Sequence, residues 1–343
     1  TYLLTAGPIR AAGANPAAAY ERYVMQPLSS VDSVFEVLLT STPLLFTGLA
    51  VALAFRCGYW NIGADGQFLA GAVAATFFGL NVRGLPAGVA IPLVILAGAV
   101  AGVLWALVPA LLRTKLGIDE VVTTLLLNPV ALLLVQGLLN GPWRNPENQF
   151  PESAPIDPAY TFPRLLADHR LHLGFAIALV LAIVVGVIIS RTPLGLRMRA
   201  VGRSPEAARF AGIRVERTML GAALGSGAIA GVGGVSQVCG LQGQLTGGIS
   251  DGFGYTGVVV ATLAALSVTG AVFVSVLLAD IIVGAESAVR VLQLPPQMGD
   301  VVTATLMLCV VAVLVLRRYK LVVRFPAALN RSRSRPGLGE EAA

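Results

Sequence analysis

The chain has 343 residues, of which 56% are hydrophobic and only 12% charged, with a net charge of +6 and a mean hydropathy of +0.79. That composition cannot clothe a water-facing globule and excludes an ordinary soluble fold. The basic balance does not point to nucleic acid, because the arginines flank apolar runs and neither a groove-reading motif nor an aromatic platform accompanies them; membrane orientation and contact with anionic membrane lipid explain them better.

In chain order, residues 1–9 are too short to span a bilayer and read as the end of a clipped first helix. Residues 14–37 follow as an amphipathic segment on the outer surface, opening at Asn15-Pro16. Apolar runs then predict spans near 43–60, 67–82, 88–112, 121–139, 173–190, 219–240, 254–268, 271–292 and 301–316. Backbone groups in hydrocarbon must be satisfied within each segment, so these runs are expected to be helices, and the 38 glycines favour close helix packing. The fold class expected is thus an all-α polytopic membrane protein of about ten helices. It divides into residues 1–42, a transmembrane domain over 43–316 and a basic tail over 317–343. Sixteen basic residues fall on one side of these spans against seven on the other, with Arg56 unassigned, so the richer side and both termini are expected to be cytoplasmic.

The connections carry their own signals. Residues 141–172, with six prolines, read as an ordered outer loop able to meet a soluble partner. Asp168, His169 and His172 within it read as solvated polar residues rather than as a metal site. Residues 191–218 read as an inner loop with a helix start at Ser204-Pro205-Glu206: a cap, a proline at the first helical position and an acid in the first turn. Neither lysine, Lys115 or Lys320, stands in a phosphate loop, since leucine follows each. Any ATP must therefore be bound by another chain, and 191–218 is the inner loop long enough to receive its work. Arg199, Gly202, Ser204, Pro205, Glu206, Ala207, Ala208 and Gly212 form the expected contact, with the two glycines turning the chain at either end.

Two glycine-rich breaks interrupt the apolar pattern. The first holds Asn61, Asp65 and Gln67, and the second, over 240–257, holds Gln242, Gln244, Thr246, Ser250 and Asp251. Broken helices expose backbone polar groups, which lipid forbids unless they line a cavity or are buried in protein. One reading makes Asn61, Asp65, Gln67, Asn128, Gln242 and Gln244 the lining of a substrate path; the other makes the first break a buried hairpin whose side chains satisfy its own backbone and Asn128 an interhelical tie. The first break follows an inward span and the second an outward one, as an inverted repeat would require. Glu286 has Arg290 four residues on as a partner, whereas Asp280 has none in view. Asp280 is either a buried, hydrogen-bonded acid or the proton site of a proton- or sodium-coupled secondary transporter. No convergent acid, base or metal set points to an enzyme.

Several segments together resemble a known family: Gly48-Leu-Ala-Val-Ala-Leu-Ala-Phe-Arg56, Asn61-Ile-Gly-Ala-Asp-Gly-Gln67, Asp119-Glu-Val-Val-Thr-Thr-Leu-Leu-Leu-Asn128, Asn140-Gly-Pro-Trp-Arg144 and Arg191-Thr-Pro-Leu-Gly-Leu-Arg197. In this order they resemble the permease subunits of bacterial ABC importers for nucleosides, within the larger group that includes simple-sugar permeases. The resemblance implies a ten-helix permease in the cytoplasmic (inner) membrane, the larger member of a heterodimer with a second, related permease. It also implies cytoplasmic ATP-binding subunits, which would hold ATP and Mg, and an extracytoplasmic substrate-binding protein. This chain itself is expected to bind no cofactor and no metal.

Overall fold

The computed structural model describes residues 15–147 and 150–292, together with 6, 7, 9, 10, 297, 301, 304, 305, 308, 309 and 312. The helices are α1 (Pro16–Val24), α2 (Val31–Arg56), α3 (Ala64–Asn81), α4 (Ala87–Leu116), α5 (Glu120–Asn140), α6 (Leu173–Arg191), α7 (Pro193–Arg203), α8 (Pro205–Phe210), α9 (Val215–Ser236), α10 (Phe253–Leu263) and α11 (Val268–Leu292). No strand forms among the described residues, and six helices are long and apolar enough to cross a membrane: α2, α4, α5, α6, α9 with its following turn, and α11. Most of residues 1–9, where the end of a first helix was expected, most of the span expected over 301–316 and the tail 317–343 lie outside the described residues.

Several expected boundaries shift. Asn15 caps α1 through its side chain, with Pro16 at the first helical position, but the amphipathic segment ends early, because α2 already starts at Val31. Ser30 supplies the cap there, and the polar Asp32, Ser33 and Glu36 become the first turns of a helix that continues through the apolar run. The span expected over 254–268 shrinks to the 11-residue α10. At about 1.5 Å per residue it reaches roughly half of a 30 Å hydrocarbon layer. Both α3 and α10 begin inside the bundle, at the two glycine breaks, where Ala64, Asp65 and Gly254 are buried.

At the centre stands α2, buried along almost its whole apolar length, with α10, α9 and α11 packed around it. By contrast, α4 buries one narrow stripe of small residues, Ala90, Val94, Gly98, Gly102, Ala106 and Ala110, spaced every fourth position. Leu96, Leu104 and, on α5, Leu126 and Leu133 face outward and remain exposed, as a surface meeting lipid would. Glycines at the buried stripe let backbones touch: a Cβ on Gly102 would meet the Gly227 carbonyl, one on Gly231 the Gly98 carbonyl, and one on Gly71 the Gly231 carbonyl. Three helices, α3, α4 and α9, are locked together there without any polar contact.

Candidate functional site

The two breaks meet in the middle of the bundle. The first runs from Cys57 to Gly63, between α2 and α3. Asn61, fully buried, accepts the Gly63 N–H (3.0 Å), donates to Gln67 Oε1 (2.9 Å) and Ser226 Oγ (2.8 Å), and accepts back from Gln67 Nε2 (3.1 Å). Ser226 donates its hydroxyl to the Ala50 carbonyl of α2 (2.6 Å). Asn128 on α5 accepts the Gly66 N–H and donates to the Ile62 carbonyl, both at 2.9 Å. Thr124 takes the Ile62 N–H at 3.2 Å. The non-helical backbone of the hairpin thus has its polar groups met by side chains of α5 and by its own Asn61.

Asp65 ties this hairpin to the second break. Its carboxylate accepts the Gly254 N–H at the start of α10 (3.0 Å) and the Ser250 hydroxyl (3.3 Å). A Cβ at Gly254 would overlap the Asp65 backbone, so the approach of the two elements requires glycine there. The starts of α3 and α10 therefore cross at one point.

Of the six side chains expected along a path, Asn61, Asp65, Gln67 and Asn128 are brought together, but at 0%, 6%, 1% and 2% exposure they reach no surface of this chain. Gln242 is exposed at the end of the π-helical turn Gln237–Gln242 that extends α9, and Gln244 donates to Glu152 of the outer loop (2.8 Å). The loop over 141–172 is woven onto this second break: the Ser153 N–H reaches the Leu245 carbonyl, the Ile156 N–H the Gly243 carbonyl and the Phe162 N–H the Cys239 carbonyl. It also grips the start of α2, with His169 beside Asp32 (3.2 Å) and stacked on Phe35. His172 is not solvated as expected. It is buried, its Nδ1 accepts the Gly174 N–H as the cap of α6, and burial holds its pKa down at about 4, so it stays neutral.

At the opposite, basic end, residues 191–218 form two helices where one was expected. Thr192 caps α7, and Ser204 caps α8 by accepting the Ala207 N–H (3.2 Å), with Pro205 and Glu206 in the first turn as read from sequence. α7 buries Gly195, Met198 and Val201. Gly202 is not a turn: it lies within α7, and a Cβ there would meet the Arg56 carbonyl at the end of α2, next to the first break. Only Gly212 turns the chain, at φ +76°. Ala208 faces into the chain at 3% exposure, while Phe210 projects from the tip of α8 at 96% exposure. Arg209 pairs with Glu216 (2.7 Å), tying α8 to α9.

Sequence reasoning missed Glu120 and Ser226. Glu120 is buried, pairs with Arg113 (2.9 Å) and accepts the Trp60 N–H of the hairpin (3.3 Å). The available signal was a base in the last turn of one helix and an acid in the first turn of the next, with a very short loop between. Glu286 pairs with Arg290 (3.5 Å) as expected, and Asp280 is buried as expected, with its Oδ1 meeting no hydrogen-bond partner among the described residues.

Residues 33–311 match the family described as branched-chain amino acid transport system / permease component. Among curated proteins, a glucose ABC transporter permease protein of Haloferax volcanii is 34% identical over 91% of this chain and 84% of its own length. A nucleoside ABC transporter permease protein of Lactococcus lactis is 32% identical over 89% and 86%. A second, different nucleoside permease protein of Lactococcus lactis is 30% identical over 65% and 72%. No solved structure matches.

Proposed function

This chain belongs to the branched-chain amino acid transport system / permease component family, and from that premise we propose that it forms the translocation path for nucleosides in an ATP-driven importer. It is an ABC transporter permease component and a multi-pass membrane protein, a transport subunit rather than an enzyme. In the proposed assembly the basic end and both termini face the cytoplasm, the chain crosses the membrane about ten times, and its two broken helices are the counterparts of an inverted repeat. A second permease completes the path, a role supported by the match to two different nucleoside permeases of one organism. ATP and Mg sit on cytoplasmic subunits, and the woven outer loop receives a substrate-binding protein.

The observation that carries the reading is the contact at Gly202. There α7 rests directly on the end of α2 and the first break, so a push on α7–α8 reaches the crossing at Asp65 without passing through a flexible linker. Exposed Phe210 and the small Ala207, Ala211 and Gly212 are the surface offered to the ATP-binding subunit. Asn61, Asp65, Gln67 and Asn128, buried behind the path, hold the shape of the two breaks beside it, and exposed Gln242 stands at its outer part. Uncharged amides suit hydroxyls and ring nitrogens better than charges would.

The glucose permease relative supports a second reading, a simple sugar as cargo. Proteoliposomes holding the complete transporter with ATP at the cytoplasmic face discriminate the two. Accumulation of labelled adenosine or uridine, unaffected by excess glucose, is expected; glucose accumulation that excess nucleoside does not reduce would replace nucleosides by sugars.

A further inference from the structure

An open groove of about 1020 Å³ runs between the basic-end halves of α6 and α11. Ile183, Val187, Phe273 and Val276 wall it, and Arg56, Arg191 and Arg199 stand at its rim. Phe273 and Ile183 are mostly exposed, and Gly186 in the groove has only ordinary contacts opposite it, so the walls leave depth between the helices. Val276 lies two turns along α11 from Val268, about 12 Å into the layer. The groove is therefore apolar at hydrocarbon depth and cationic at its mouth.

The mouth is unusual in its charge. Arg56 is fixed by donating its Nε to the Leu266 carbonyl (2.9 Å), and it feels Arg199 as a like charge. Among the described residues no carboxylate pairs with Arg56, Arg191 or Arg199. Like charges gathered beside a low-dielectric groove repel one another unless an anion joins them. The tail of this chain carries seven basic and no acidic side chains over 317–335, and its two acids, Glu340 and Glu341, would leave the apolar walls of the groove uncovered. A soluble subunit would not reach the apolar part of the groove between α6 and α11, and a neutral lipid would leave the arginines unmatched.

We propose that this groove holds one anionic phospholipid, with its acyl chains between α6 and α11 and its phosphate among Arg56, Arg191 and Arg199. The headgroup would join α7, through Arg199, to the ends of α2 and α6. The site stands on its own geometry and holds whatever the cargo is.

The test uses the assembled transporter in bilayers doped with phosphatidylglycerol or phosphatidylcholine, each carrying a photoactivatable group on its acyl chain, followed by peptide mapping. Phosphatidylglycerol is expected to label residues 182–191 and 268–276, and phosphatidylcholine to label them far less. Arg191→Gln with Arg199→Gln should cut phosphatidylglycerol labelling by about 25-fold, at about fivefold per arginine removed. Gly186→Phe, which fills the groove and leaves the charges in place, should block it as well. Equal labelling by both lipids, unchanged phosphatidylglycerol labelling in the double variant, or no labelling by either lipid because another chain covers the groove would each overturn the proposal.

Discussion

Gly231→Leu is expected to abolish recovery of folded protein. A Cβ added at Gly231 would meet the Gly98 carbonyl and lie 3.1 Å from the Gly102 Cα, so the obstruction is backbone, which cannot rotate away as a side-chain tip would. The Gly231 carbonyl is in turn the close neighbour of Gly71. Overpacking within a core costs about 1–3 kcal/mol when side chains can yield. Here two helices must separate along the spacing Gly98/Gly102 against Gly227/Gly231, and the contact between them is van der Waals packing that fades with any gap. Gly221→Leu and Gly137→Leu, at glycines with nothing within 4 Å, are the controls. Monodisperse elution in detergent should be lost for Gly231→Leu and kept for both controls; a normally eluting Gly231→Leu would show that α3, α4 and α9 do not meet as described.

Asn128→Leu is expected to be the most damaging single loss of a polar side chain. Hydrogen bonds between membrane helices are often worth little, because the unfolded chain in the bilayer finds other partners. Asn128 differs, since it serves the Gly66 N–H and the Ile62 carbonyl, backbone groups of a break and a helix start that have no helical partner. Leaving each unmet in a buried site costs about 1–3 kcal/mol. A fall in the thermal midpoint on the order of 5–10 °C follows for a chain of this size. Thr262→Val, which removes a hydroxyl bonded only within its own exposed helix face, should change little. Equal midpoints for the two variants, measured on the detergent-solubilised protein, would remove Asn128 from the support of the hairpin.

Sequence patterning located α4, α5, α6, α9 and α11 to within a few residues, because lipid imposes long uninterrupted apolar runs. It misplaced the start of α2, since the polar first turns carrying Asp32, Ser33 and Glu36 break the hydropathy signal without breaking the helix. It also overextended α10, where an apolar stretch continues past Leu263 into a turn with Ala265 and Leu266 at positive φ. The cap at Ser204 was legible because capping is local chemistry. Composition could mark the two glycine breaks and name Asn61, Asp65, Gln67 and Asn128, but not where they point: pairs such as Asn61 with Ser226 and Asp65 with Gly254 are separated by 165 and 189 residues. The role of Gly202 was misread for the same reason, as the backbone it touches belongs to α2.

We propose that α7 and α8 pass the work of ATP hydrolysis to the crossing of the two broken helices. This transfer is tested most directly by substrate-stimulated ATP hydrolysis in the assembled transporter carrying Phe210→Ala or Gly202→Val. Phe210 touches nothing that the fold needs, being 96% exposed, so its loss should spare assembly and weaken only the contact with the ATP-binding subunit. Val at 202 should lift α7 off the Arg56 carbonyl and open a gap in the linkage itself. Basal hydrolysis with stimulation lost in both assembled variants is the expected result; wild-type stimulation in both would contradict the account.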